Sequence, residues 1–209
     1  VFEDRIQAGN LLADNLLKYR KKDDLVVLGI PRGGVPVAKV IADKLKAPLD
    51  VLVVRKIGAP GHEELALGAI GPEAVSTYDN ELIKRLNVDE SYLKRREEEE
   101  KKEIGKRLKR FGKKKGKLNL KGKSVILVDD GVATGSTVEA AVKYLRANKV
   151  GKIILAVPVA PRSSMEKLER IVDETVVLST PKGFMAVGQF YDNFPQVDDE
   201  EVKILLTEK

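Results

Sequence analysis

The chain has 209 residues and a mass of 23.0 kDa, and its 38 Lys and Arg against 32 Asp and Glu leave a formal charge of +6. That length suits one domain with at most a small appendage. With no Cys and a single His, disulfides, thiolate zinc sites and a cysteine nucleophile are excluded, a His-rich metal site or a Ser-His-Asp triad is disfavoured, and hard cations on oxygen ligands remain.

Hydrophobic residues make up 43% of the chain, and no apolar run approaches the ~20 residues of a bilayer crossing, so a packed core is expected and a membrane span is not. The opening Val1-Phe2-Glu3-Asp4-Arg5 lacks the layout of a signal peptide. One third of the residues are charged, with both signs interspersed and neither Cys nor Trp present. This balance reads as a heat-adapted cytoplasmic protein and not as a nucleic-acid footprint, for which cations must cluster. Only the stretch from Lys106 to Lys123 clusters in that way.

Ile6, Leu11, Leu12, Leu16 and Tyr19 recur at helical spacing and predict an amphipathic helix that ends before Lys21-Lys22-Asp23-Asp24. Leu25 to Ile30 predicts a buried strand, Val35 to Lys46 a helix and Leu49 to Val54 a second strand, which together form a βαβ unit with parallel pairing. Arg55 to Glu64 is rich in Gly and Pro without periodicity and reads as a mobile loop ahead of the apolar segment Leu65 to Ile70. Ser91 to Phe111 predicts a highly charged helix whose thin apolar stripe (Leu93, Ile104, Leu108, Phe111) marks it as an excursion from the core, with i,i+4 pairs between its acids and lysines. Strands at Lys123 to Asp130 and Lys152 to Val159 around a helix at Ser136 to Asn148 repeat the βαβ pattern. A short helix at Ser163 to Ile171, a strand at Thr175 to Leu178 and an aromatic-rich tail follow. The expected fold is α/β, an open parallel sheet with helices on both faces, and its ligands sit at the carboxyl ends of the strands.

Four apolar residues, Val125 to Val128, run into Asp129-Asp130 and then into Gly131-Val132-Ala133-Thr134-Gly135-Ser136-Thr137 at a helix start. Glycines that allow a tight turn, helix-start N–H groups and the hydroxyls of Thr134, Ser136 and Thr137 make this a phosphate cradle. It lacks the Lys of the GxxxxGK[ST] loop, which disfavours triphosphate hydrolysis. Two acids beside an anion site would repel phosphate alone, but they suit a ligand that carries hydroxyl donors beside its phosphate, as a ribose phosphate does.

This motif resembles that of the type I phosphoribosyltransferases, and the match spans most of the chain. The resemblance implies that Asp129 and Asp130 hold the ribose hydroxyls of phosphoribosyl pyrophosphate (PRPP) and help to hold Mg²⁺. It implies that Gly131, Val132, Ala133, Thr134, Gly135, Ser136 and Thr137 bind the 5′-phosphate. Gly29-Ile30-Pro31-Arg32-Gly33-Gly34 looks like the family's pyrophosphate loop. Arg32 would be the bidentate ligand, Gly33 and Gly34 the backbone donors, and the Pro31–Arg32 bond a candidate for cis. Arg55 or Lys56 would bind pyrophosphate from a closing loop, on which His62, Glu63 or Glu64 could move the acceptor's proton.

The tail holds four of the chain's ten Phe and Tyr residues between positions 181 and 194 and resembles the family's hood. Phe184, Phe190 or Tyr191 would stack a base whose edge Asp192 reads. Ala133 stands where hypoxanthine-guanine members carry an acid that adenine and orotate members also lack, while Pro158 in place of the Lys of the 6-oxopurine members and the absence of the Arg after the hood aromatics argue against a 6-oxopurine acceptor. The implied layout is one domain over residues 1–209, with a helical insertion near 79–117 and a hood near 179–209. The implied activity is Mg²⁺-dependent transfer to a nitrogenous acceptor by a homodimer, in purine or pyrimidine salvage. The alternatives are a silent PRPP-binding regulator that touches nucleic acid through its basic run, and a metal-assisted hydrolase. For that run, from Lys106 through Lys115, a solvated helix end is the expected role.

Overall fold

The computed structural model of the chain describes residues 1–72, 76–112 and 119–207, apart from the Glu64 side chain. In chain order its elements are α1 (Arg5–Asn15), β1 (Leu25–Gly29), α2 (Gly34–Leu45), β2 (Leu49–Val51), β3 (Arg55–Ala59), β4 (His62–Ile70), β5 (Ser76–Tyr78), α3 (Asn80–Arg85), α4 (Glu90–Arg110), β6 (Ser124–Val128), α5 (Ser136–Ala147), β7 (Lys152–Val159), α6 (Arg162–Leu168), β8 (Glu174–Ser179) and α7 (Asp199–Thr207).

The buried strands form a five-stranded parallel sheet in the order β2-β1-β6-β7-β8. Alternation of side chains along them makes two cores. Val26, Leu28, Val125, Leu127, Ile153 and Leu155 meet α5 and α6 on one face. Leu25, Val27, Ile126, Val128, Ile154 and Ala156 meet α1 and α2 on the other. The chain leaves β1 toward one edge through α2 and leaves β6 toward the other through α5, so the strand order switches direction between β1 and β6. Gly29 pairs with Val128 in register, and the loops after these two strands therefore leave the sheet side by side. In an open α/β sheet this crevice is where a ligand fits.

The predicted loop from Arg55 to Glu64 is not a loop. Arg55–Ala59 and His62–Ile70 pair antiparallel, turning at Pro60-Gly61, and β5 adds a third strand. Register shifts on both sides of Gly58 break the period-2 pattern, which is why the hairpin has no alternation in the sequence. The predicted strand Leu49 to Val54 pairs only to Val51. Leu52 donates its N–H to Gly29 O at 3.0 Å, and the chain then crosses to the second sheet. Tyr144 of α5 lies against that sheet: its hydroxyl donates to Pro72 O at 3.3 Å and its ring leaves no room for a Cβ on Gly71.

The charged helix is not an excursion either. Ile104, Leu108 and Phe111 bury against Val51, Val53, Ile57, Ile70 and Val202 of α7, a helix that the polar tail did not announce. It carries the expected pairs, Glu97 with Lys101 at 2.6 Å and Glu90 with Lys94 at 2.8 Å, and Glu97 also accepts from Ser76 and Tyr78 of β5. In the basic run Lys106 pairs with Glu103 and Arg110 with Asp199, while Lys113, Lys114 and Lys115 lie outside the described residues.

Where α1 meets β7 and β8, Glu174 accepts from Lys18 at 2.6 Å, Tyr19 at 2.5 Å and Lys152 at 3.1 Å. Desolvation raises its carboxyl, but these three donors outweigh it and hold the group at about 2, down from 4.5. A carboxylate depressed in the fold stabilises above its unfolded value and loses that contribution as pH falls through the folded one. Glu174→Gln is therefore expected to flatten the acid limb of the stability curve between pH 4.5 and about 2, as followed by thermal melting. Phe111 is 1% exposed, and Phe111→Ala is expected to cost about 3 kcal/mol in urea unfolding with an unchanged m value.

Candidate active site

Both loops of the crevice are fastened before they reach any ligand. Ile30 donates its N–H to Val128 O at 2.8 Å, and the following Pro31–Arg32 peptide is cis. Gly33 then packs so close to Asp130 that a Cβ would overlap the carboxylate. On the other loop, Val132 donates to Val159 O at 2.9 Å and Ser164 Oγ donates to Ala133 O at 2.6 Å. Val132 is thereby committed to the fold, with its side chain in the core and its N–H used.

Past these anchors the chain turns through Gly135 at φ 86° into α5, whose first intrahelical bond is Glu139 N–H to Gly135 O at 2.8 Å. The N–H groups ahead of it have no partner within the helix, which is the arrangement that binds anions. Thr134 and Thr137 are exposed, and the hydroxyls of Thr134 and Ser136 lie 3.1 Å apart.

Asp129 and Asp130 follow β6 directly, and both are half-buried. Asp129 Oδ1 accepts from the Asp130 N–H at 2.9 Å. Arg5, which sequence reasoning passed over, donates from Nε to Asp130 Oδ2 at 2.8 Å and from Nη1 to Pro195 O at 2.8 Å, with its guanidinium 3.8 Å above the Phe194 ring. Burial raises the Asp129 carboxyl well above the usual range, and the charge of Asp130 adds to this. Burial also raises Asp130, against the opposing pull of Arg5.

Three neighbouring clefts surround the pair. One of about 440 Å³ runs over Asp130, Arg32, Gly33, Arg5, Val187 and Phe194. A second of about 160 Å³ joins Asp129 to the Gly131–Thr137 loop. The third, of about 340 Å³, leads from Thr134, Ser136 and Thr137 to Arg55, Lys56 and Glu63 on the hairpin. Thus Arg32, Gly33, Asp130, Asp129, the hydroxyl loop, Arg55 and Lys56 share one connected surface. Gly34 is buried at the start of α2, where a Cβ would stand 2.6 Å from Val128 O. His62 is exposed at the hairpin turn and Glu63 lines the cleft, while the Glu64 side chain lies outside the described residues.

The aromatic tail is arranged differently from the expectation. Tyr191 is 6% exposed, packs between Phe2 at 5.4 Å and Phe194 at 4.8 Å, and donates its hydroxyl to Asp130 O at 2.6 Å. Phe184 and Phe190 stack on each other at 5.2 Å, and Asp192 donates its N–H to Phe2 O at 2.8 Å. None of these four residues lines the three clefts: Tyr191 is packed by Phe2 and Phe194, and Phe184 and Phe190 pack on each other. Val187 and Phe194 line the crevice instead. An Arg at position 5 in a predicted surface helix carried no signal of this role. The near-total burial of its side chain, 9% exposed, follows only from the fold.

Because the two acids repel each other in a site that desolvates them, Asp129→Asn is expected to raise the melting temperature of the ligand-free protein. Arg5→Gln, which removes the guanidinium bound to the pair, is expected to lower stability by about 2 kcal/mol. Calorimetric melting of both variants beside the wild type checks the opposite signs.

A family model described as the phosphoribosyl transferase domain matches residues 3–190. The Mycobacterium tuberculosis protein named "Putative phosphoribosyl transferase Rv0571c" is 43% identical over 206 residues, which is 99% of this chain and 46% of that protein. The chain thus spans about half the length of the curated relatives it matches. The crystal structure of TT1426 from Thermus thermophilus matches with a TM-score of 0.90 at 41% identity, over 98% of this chain and 97% of that one. The AQ2163 protein from Aquifex aeolicus, at 16% identity and a TM-score of 0.52 over 84% of this chain and 74% of its own, shares the fold. With its switch-point crevice, acid pair and hydroxyl loop, the chain belongs to the phosphoribosyl transferase domain family, in the type I group that its motifs resemble.

Proposed function

We propose that the chain transfers the ribose 5-phosphate of PRPP to a nitrogenous acceptor, a nucleobase by preference, and releases pyrophosphate. The observation that carries this reading is the position of Asp129 and Asp130 between the hydroxyl loop and the cation-bearing Arg32 loop. A pair of acceptors flanked by two anion sites matches a ribose that bears a phosphate at one end and a pyrophosphate at the other. In this reading Asp129 and Asp130 accept from the ribose hydroxyls, and Thr134, Ser136, Thr137 and the first N–H groups of α5 hold the 5′-phosphate. Arg32, Arg55 and Lys56 face the departing pyrophosphate, which they hold in line and whose charge they offset. The acceptor enters the cleft between Arg5, Val187 and Phe194, with Pro195, Gln196 and Val197 of the tail beside it, and α4 stands on the side of Arg55.

Among the described residues no three acidic or His side chains converge, and the acid pair by itself is part of a cation's ligand set. Two adjacent carboxylates suit a hard cation that takes its other ligands from substrate oxygens and water. Mg²⁺ held in this way by Asp129 and Asp130 would supply charge neutralisation at the leaving group. A PRPP-binding regulator without turnover is the second reading. It is favoured by the acceptor cleft, whose described lining offers Asp130 as its one carboxylate and no His.

Calorimetric titration with PRPP and Mg²⁺, followed by a pyrophosphate-release screen across nucleobases, tests both readings. Micromolar binding with release for one acceptor is expected, and the Asp129→Asn, Asp130→Asn double variant is expected to fold yet lose binding. Tight binding without release for any acceptor establishes the regulator, and absence of binding refutes both.

A further inference from the structure

The charged helix α4 is the feature that the proposed reaction leaves without a use. Its Glu100 is 5% exposed, an unusual state for a carboxylate on a helix whose other acids, the half-buried Glu97 apart, are solvated. It is buried between two guanidiniums: Oε2 accepts from Arg55 Nε at 2.7 Å and Oε1 accepts from Arg96 Nη2 at 3.1 Å. Arg96 also donates from Nη1 to Glu99 at 2.9 Å, while its Nε is buried without a hydrogen-bond partner among the described residues. A buried donor left unsatisfied is costly unless something else meets it.

Arg55, Arg96 and Glu100 line the 340 Å³ cleft together with Thr134, Ser136 and Thr137. Glu99 and Glu100 together balance Arg96 and Arg55, with Lys56 as a further cation on the cleft, while Glu100 fixes the direction of the guanidinium N–H groups beside it. Glu63 lies on the same cleft, and Arg96 joins Arg55 and Lys56 as a third cation that offsets its repulsion of an anion. None of this follows from the loops that mark the family, since α4 stands well apart from them in sequence.

We propose that Arg96 is a binding residue for the pyrophosphate group of PRPP, and that Glu100 is the positioning residue that holds Arg55 and Arg96 together on that cleft. This rests on the PRPP reading. The insertion therefore completes the anion site from the side.

The test titrates the full chain, in Mg²⁺, with pyrophosphate, ribose 5-phosphate and PRPP. Arg96→Gln is expected to weaken pyrophosphate and PRPP about tenfold and to leave ribose 5-phosphate within about twofold. Glu100→Gln is expected to weaken pyrophosphate as well, and the double variant less than the product of the two, because Glu100 acts through its arginines. If Arg96→Gln does not fold, Arg96→Lys, which keeps a charge against Glu100, is expected to weaken pyrophosphate about threefold with ribose 5-phosphate unchanged. Unchanged pyrophosphate affinity, or a loss that ribose 5-phosphate shares equally, overturns the role of Arg96 and leaves the PRPP reading standing. Multiplicative effects in the double variant overturn the role of Glu100. Wild-type protein that binds none of the three ligands overturns the inference together with the reading beneath it.

Discussion

Two carboxylates stand side by side at the end of a buried strand, and the rest of the site is organised around that expense. Asp129 and Asp130 repel each other in surroundings that already disfavour charge, and Arg5 is the cation bonded to the pair. Arg5 reaches Asp130 because α1 begins beside the tail, where the Phe2 N–H donates to Phe190 O at 2.7 Å. Tyr191 fastens the Asp130 carbonyl from below the same tail. Packing alone would favour replacing the acids, which is the physical ground for reading the pair as part of a functional site.

The sheet turns this constraint into a site. Parallel pairing of β1 with β6 in register brings the end of one strand against the end of the other. The Arg32 loop can approach the acid pair only because position 33 has no side chain to collide with it. Cations and hydroxyls then lie on opposite sides of the pair without long loops to carry them. The chemistry depends on where two strands stop.

Much of this was legible in the sequence for a simple reason: the decisive signals were local. An apolar strand, two acids and a Gly/Thr/Ser turn occupy thirteen consecutive residues, Val125 to Thr137, and each step has its own physical cause. The hairpin from Arg55 was not legible, since bulges at Gly58 erased its alternation. The tail aromatics read as faces for a base, whereas Phe2, nearly two hundred positions away, covers Tyr191, and Phe184 and Phe190 pack on each other. Arg5 and Glu100 were missed for the same reason. A charged residue on a polar helix looks solvated until the partner that buries it is known.

The helix that carries the hydroxyl loop belongs to both sheets. From its N-terminus α5 presents Ser136 and Thr137, and a few turns along, Tyr144 is wedged against Gly71 and bonded to Pro72 O beside the hairpin sheet. It is thus a strut between the floor of the crevice and the wall that bears Arg55 and Lys56. A displacement at the first turn of α5 cannot be absorbed by that turn alone, because the same rigid helix is held eight residues later by Tyr144 against the hairpin sheet.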